Sequence, residues 1–277
     1  MKTKILLPTD FSDNAWSAIV YALKLYANES CVFYFLHTID NEALYERSLV
    51  TDYFLEALED GAAKDLLELK EQAIASNANE KHEFEVVLSA EKIEVAIKKS
   101  VEEHAIDMVI MGTKGASKNE KLFFGSNTVR VLNKVKACPL LVVPDEFDFV
   151  EPTQIAFPTD YNRFYNGEEI QVLRNLTELY DSKIRVVHIE EEKKLNEVQR
   201  YNINELDEYL NQVEHSFHWM PNYAKKASVI NDFIVELDIN ILAMVNYKHS
   251  FIERVMNEPV LKKISFHPSI PFLVIPE

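Results

Sequence analysis

The segment "KILLPTDFSDN" at residues 4–14 returns as "QIAFPTDYNRF" at 154–164, an apolar run closed by Pro-Thr-Asp both times, 150 positions later. Two further echoes keep the order. "VFYFLHTID" (32–40) answers to "IRVVHIEEE" (184–192), and "ACPLLVVPDE" (137–146) to "SIPFLVIPE" (269–277). A repeat of this period covers whole domains. The chain of 277 residues therefore reads as two similar domains of ordinary size, not as one large core. They fall at 1–147 and 152–277, joined by the acidic, proline-containing "DEFDFVEPT" (145–153).

Within each half, short β-branched or aromatic runs alternate with stretches of helical period, the pattern of βαβ units on a parallel sheet. The first half reads as strands near 3–8, 31–37, 83–88, 107–111 and 139–143, with helices near 13–28, 51–76, 91–104 and 126–136. "SAEKIEVAIKKSVEEH" shows the period plainly, with Ile93, Ala96, Ile97 and Val101 on one face. The second half repeats strands near 154–158, 183–189, 215–220, 239–245 and 271–275, with helices near 166–181, 197–213, 223–236 and 254–264. The final strands, "PLLVV" and "PFLVI", are almost wholly apolar, as strands covered on both faces are.

Charge narrows the partners. Forty-five acidic side chains against 29 basic give a net charge of −16, which repels a phosphate backbone or an anionic membrane unless basic residues gather on one face. No such block is visible, so neither nucleic acid nor membrane is expected. The amino terminus reaches Asp10 before any apolar stretch long enough for a signal sequence, and no window approaches a membrane span, so a soluble, cytoplasmic protein is expected. Cys31 and Cys138 each sit in an apolar run and read as small buried hydrophobes.

Glycine marks the candidate site. The chain has only five, and three fall in "MGTKGASKNEKLFFGS" (111–126), just after the apolar run "IDMVI". If the fourth strand ends at Met111, they occupy the loop at a strand's carboxyl end, where open α/β sheets bind ligands. Gly112 and Gly115 would give backbone amides room and positive φ for a phosphate. Gly125-Ser126 would open a helix whose first amides lack partners, with Ser126 either capping it or binding phosphate oxygen. The competing reading is a flexible loop whose glycines only permit turns. Lys114, Lys118 and Lys121 bring positive charge to this stretch. Asp10, at the same edge if the first and fourth strands are neighbours, would either accept a hydrogen bond from a base or ribose, or cap the helix starting near Ser12 or Asp13.

Together "ILLPTDFSDNAWSAIVYALKLY", "FLHTID" and "DMVIMGTKGASKNEKLFFGSNTVRVLNKVKACPLLVVP" resemble the universal stress protein family, in a tandem form with the ATP-binding type of motif in the first half. Its Gly-x2-Gly-x9-Gly-Ser signature is met by Gly112, Gly115, Gly125 and Ser126. The resemblance implies two Rossmann-like domains of the adenine nucleotide alpha hydrolase-like kind, each a five-stranded parallel sheet of order 3-2-1-4-5 flanked by helices. It implies ATP at the switch point, with adenine near Asp10, Thr38 and Met111, and ribose beside Pro8 and Gly112. Phosphates would lie on Gly115, Gly125, Ser126 and Asn127, with Mg2+ carried on the phosphates.

The second half has none of the three glycines. Either Asn246 or Val245 replaces the first, and Asn257-Glu258-Pro259 stands opposite Gly125-Ser126-Asn127, so its site is read as degenerate. Lys248 and His249 leave room for an unknown anionic ligand there. His37 and His188, at equivalent strand ends, read as loop anchors, not catalysts. No Gln, Asp or Arg is evidently placed for phosphoryl transfer near the loop. The expected function is a nucleotide-dependent regulatory or stress-response protein with an unknown protein partner. A slow ATPase or nucleotidyl transferase, and a ligand-free scaffold, remain as alternatives. Two like domains can pair as a pseudo-dimer within the chain, with a homodimer optional.

Overall fold

The computed structural model describes residues 2–40, 51–77, 79–113, 124–190, 194–224, 226–247 and 269–277. The chain divides into two compact units, Met1–Asp148 and Phe149–Glu277. The first contains strands β1 (Thr3–Pro8), β2 (Cys31–Thr38), β3 (Glu83–Ser89), β4 (Met108–Gly112) and β5 (Leu140–Val143). Every pairing among them is parallel and the order is β3-β2-β1-β4-β5. Helices α1 (Asp13–Leu25), α2 (Asp52–Ser76), α3 (Ile93–His104) and α4 (Ser126–Lys134) alternate with the strands.

The second unit repeats this with β6 (Gln154–Pro158), β7 (Lys183–Ile189), β8 (His215–Met220), β9 (Ile241–Asn246) and β10 (Phe272–Pro276), again parallel, in the order β8-β7-β6-β9-β10. Its described helices are α5 (Gly167–Glu178), α6 (Glu197–Leu210) and α7 (Lys226–Glu236). The helix expected near 254–264 lies outside the described residues, as do Asn257, Glu258, Pro259, Lys248 and His249.

The central strands are buried because helices cover both faces. Ile5, Leu6 and Leu7 of β1 are fully buried, as are Phe33 and Phe35 of β2 and all four residues of β5 to within 2%. Cys31 and Cys138 are free thiols within this core. Burial pushes both up to about 12, so they stay protonated and inert near neutral pH. Among the described residues no helix is long and apolar enough to cross a membrane.

The Pro-Thr-Asp turn is built identically in both units. After the proline, Thr9 Oγ1 accepts from the Phe11 amide and Thr159 Oγ1 from the Tyr161 amide, both at 3.0 Å. Phe11 and Tyr161 lie in the left-handed region at φ 61° and 55°. From the next strand, the Nδ1 of His37 bonds the Thr9 carbonyl and that of His188 bonds the Thr159 carbonyl, both at 2.8 Å. The imidazole rings lie 4.6 and 5.0 Å from those of Phe11 and Tyr161. A carbonyl only accepts, so each Nδ1 carries the proton, and the loop-anchoring role read from the repeated histidines is what the geometry shows.

Candidate functional site at the β1–β4 switch point

Strand order reverses between β1 and β4: β1 pairs with β2 on one side and with β4 on the other, Ile5 facing Met108. Their chains leave the sheet in opposite directions, which opens a crevice at the carboxyl ends. A cleft of about 110 Å³ lies there, lined by Pro8, Thr9, Asp10, Ala15, His37, Thr38, Ile93, Met111, Gly112, Asn127 and Thr128. Six of the nine residues expected at a nucleotide site, Pro8, Asp10, Thr38, Met111, Gly112 and Asn127, thus share one wall-to-wall cavity. Gly125 and Ser126 sit directly before Asn127 at the start of α4. Gly115 lies outside the described residues, as do Lys114, Lys118 and Lys121.

Gly125 is the capping residue, in extended conformation (φ −64°, ψ 161°), and among the described residues no side-chain cap closes the amino end of α4. The Gly125 amide donates to the Thr113 carbonyl at 2.7 Å, tying the helix entry to the end of β4. Thr128 Oγ1 donates to the Gly112 carbonyl at 3.0 Å and fixes the first turn against the strand. Ser126 and Asn127 are exposed at this terminus. A helix start of this kind carries about half a positive charge and amides available to an anion. By contrast Ser12 caps α1 and Asn166 caps α5, while α3, like α4, starts without a side-chain cap from its capping residue.

Three local expectations change. Ser126 is the first helical residue, so the cap is Gly125. Asp10 does not cap α1: its Oδ1 accepts from the Ser12 amide at 3.2 Å and hydroxyl at 2.6 Å, while Ser12 Oγ accepts from the Ala15 amide at 3.3 Å. The carboxylate therefore orients the capping hydroxyl. Gly112 is the last residue of β4, and among the described glycines none has positive φ. What Gly112 supplies is room, because the side chain of Asn14 in α1 fills the place of its missing Cβ. In the second unit the register of β6 with β9 puts Val245 at this position, settling the choice between Val245 and Asn246.

Thr9, Ala15, His37, Ile93 and Thr128 complete the cleft and were not among the expected site residues, His37 being read as a loop anchor and Ile93 as part of an apolar helix face. Thr9 and His37 adjoin predicted residues and Thr128 lies three beyond Gly125, so proximity was the available signal. Ile93 carried none, because its place in the cleft depends on where α3 begins. Among the described residues no cluster of three His, Cys, Asp or Glu side chains is arranged for a metal ion.

The family model of the universal stress proteins matches residues 1–144, which is more than half of the chain. The chain belongs to the universal stress protein family. Its tandem form has whole-length counterparts among solved structures. A universal stress protein from Archaeoglobus fulgidus DSM 4304 is 16% identical, with a TM-score of 0.72 over 99% of this chain and 96% of that one. A putative universal stress protein from Pseudomonas aeruginosa UCBPP-PA14 is 11% identical, with a TM-score of 0.60 over 99% and 93%. The cytoplasmic domain of a prokaryotic cation chloride cotransporter is 8% identical, with a TM-score of 0.55 over 99% and 95%. At these identities the likeness is one of fold. No curated protein matches the sequence.

Proposed function

We propose that the first unit of this universal stress protein binds ATP with Mg2+ in the β1–β4 cleft, and that occupancy of this one site serves as a regulatory signal. The observation that carries the reading is the amino end of α4 at Gly125, Ser126 and Asn127, capped by no described side chain and next to the cleft wall formed by Pro8, Asp10, Thr38, Met111 and Gly112. A crevice that sets Pro8, Ile93 and Met111 beside polar groups and ends at a helix start suits a flat base at one end and phosphates at the other. Adenine would lie against Thr38 and Met111 near Asp10. Ribose would sit by Pro8 and Gly112, and the phosphates would take the amides from Gly125 onward, with Gly115 completing the cradle. The Mg2+ would be carried by phosphate oxygens.

Calorimetric titration of the full chain with ATP and Mg2+ tests this. One site per chain is expected. Ser126→Asp should abolish the heat without unfolding the protein, since an exposed carboxylate at a helix start favours the helix while occupying the phosphate position. No heat at millimolar ATP would overturn the reading. The regulatory part is read by hydrogen exchange with and without ATP, where protection confined to the cleft would oppose a transmitted signal.

A further inference from the structure

By strand register, Pro158, Thr159 and Asp160 stand in the second unit where Pro8, Thr9 and Asp10 stand in the first. His188 and Ile189 match His37 and Thr38, and Met244 matches Met111. The repeat then breaks. Asn166, the cap of α5, follows Asp160 by six positions, whereas Ser12 follows Asp10 by two. Four extra residues, Asn162 to Tyr165, leave the turn before the helix begins.

Those residues turn back over Asp160. The Arg163 guanidinium lies 5.1 Å from the ring centre of Tyr165 and 4.9 Å from that of Tyr247, the residue that follows β9. Arg163 Nη2 also pairs at 2.7 Å with Glu169, whose side chain is buried to 2% exposure. The Tyr247 hydroxyl donates to Asp160 Oδ1 at 3.1 Å. Tyr165 is buried and its hydroxyl shares a 2.6 Å hydrogen bond with Thr159. From α6, Gln199 donates to the Asp160 carbonyl and Asn202 to the Tyr161 carbonyl, both at 2.8 Å. In the first unit the matching carboxylate faces a cleft; here it is bonded to a phenol beneath a stacked guanidinium.

We infer that the second unit supplies its own occupant for the position of the nucleotide cleft: the Tyr247 ring, held by Asp160 and clamped by Arg163 on Tyr165, seals Met244 and Asp160 from any free ligand. An aromatic ring carrying a donor to the carboxylate has the chemistry of a purine face, and the cation over it is neutralised by Glu169. The four-residue insertion is the device that delivers Arg163 and Tyr165. The inference rests on the proposed nucleotide reading only for which ligand is excluded.

Thiol labelling of the full chain tests it without reference to nucleotide. Cys31 and Cys138 are buried, so a cysteine introduced at Met111 or Met244 reports its own access. Met111 and Met244 are both buried, at 7% and 4% exposure, but Met111 borders the cleft, so Met111→Cys should react with an aromatic maleimide faster than Met244→Cys as the cleft breathes. Adding Arg163→Ala and Tyr247→Ala to Met244→Cys should close that gap. If this variant loses its circular dichroism, Tyr247→Phe, which keeps the ring and removes the bond to Asp160, should still raise the rate severalfold. Equal labelling at the two positions in the otherwise native chain, or no response of Met244→Cys to the folded openings, would overturn the inference. So would a second ATP site in the titration of the wild-type chain. A wild-type chain that binds no ATP would defeat the nucleotide reading and leave the labelling contrast standing.

Discussion

A Cβ on Gly112 would lie 2.2 Å from the side-chain oxygen of Asn14 and 3.0 Å from its backbone oxygen. Asn14 is the second residue of α1 and is buried, so it has little space in which to retreat. Gly112→Ala is therefore an overpacking change, expected to cost about 2 kcal/mol. Chemical denaturation of Gly112→Ala, Asn14→Ala and the double variant checks it. The double should be more stable than the sum of the singles by about 1 kcal/mol, because truncating Asn14 removes the side-chain part of the clash and leaves only its backbone oxygen close. Additive losses would place the strain elsewhere.

This contact also alters what the repeat says about the glycines. The second unit carries Val245 at the register of Gly112, and the second residue of α5, Glu168, is exposed. The buried asparagine that crowds Gly112 therefore has no counterpart at the matching helix position. Gly112 is thus explained by packing, and the case for phosphate rests on Gly125, Ser126 and Asn127. Nothing in the sequence joins Gly112 to Asn14: the two meet because β4 lies beside β1 and α1 crosses over them.

The strands were legible because parallel strands covered on both faces must be apolar throughout, and "ILL", "MVIM" and "LLVV" can hardly be anything else at that length. Helix ends were less so. Asp10, Ser12 and Asp13 are all competent caps, and only the structure shows that Asp10 braces the Ser12 hydroxyl. The insertion after Asp160 was not read from the sequence, where the repeat aligns at a constant shift; the helix caps reveal it. Its partner Tyr247 lies 84 residues from Arg163, a distance over which sequence pattern carries no contact information.

Buried His82 and His188 and half-buried His218 set an acid limit on stability. His82, His188 and His218 are all held below the ordinary histidine value, each chiefly by burial. A lowered folded pKa means that the unfolded chain binds more protons below about pH 6.5, so stability is full above that pH and falls as pH drops through it. Each histidine adds a slope of at most about 1.4 kcal/mol per pH unit. Denaturation midpoints between pH 7.5 and 5 should fall accordingly. His188→Gln should flatten the curve while lowering the plateau, since the bond to the Thr159 carbonyl is lost.

The two native thiols should be silent in the folded chain. With both pushed to about 12 by burial, neither forms appreciable thiolate at pH 8. A disulfide reagent should therefore release less than a tenth of one equivalent in native buffer within minutes and two equivalents in denaturant, Cys31 and Cys138 being the chain's two cysteines. Rapid native reaction would show that the first unit opens locally.

Glu94 connects the helix behind the cleft to the helix in front of it. Its side chain is only 6% exposed, accepts from Lys134 Nζ at 2.8 Å and lies 3.8 Å from Arg130, both on α4. Burial alone would raise its carboxyl, but the two cations prevail and hold it below the usual carboxylate range. Its contribution is present above the unfolded glutamate value near 4.3 and is lost as pH falls below it. Lys134 is more than half exposed, which screens the pair, so Lys134→Met should cost about 1 kcal/mol, well short of a fully buried pair. Because the carboxylate would then remain buried with only the distant Arg130, the loss should shrink below pH 5, where protonation relieves it. Equal destabilisation at pH 4 and pH 7 would assign the effect to lost packing of the lysine stem.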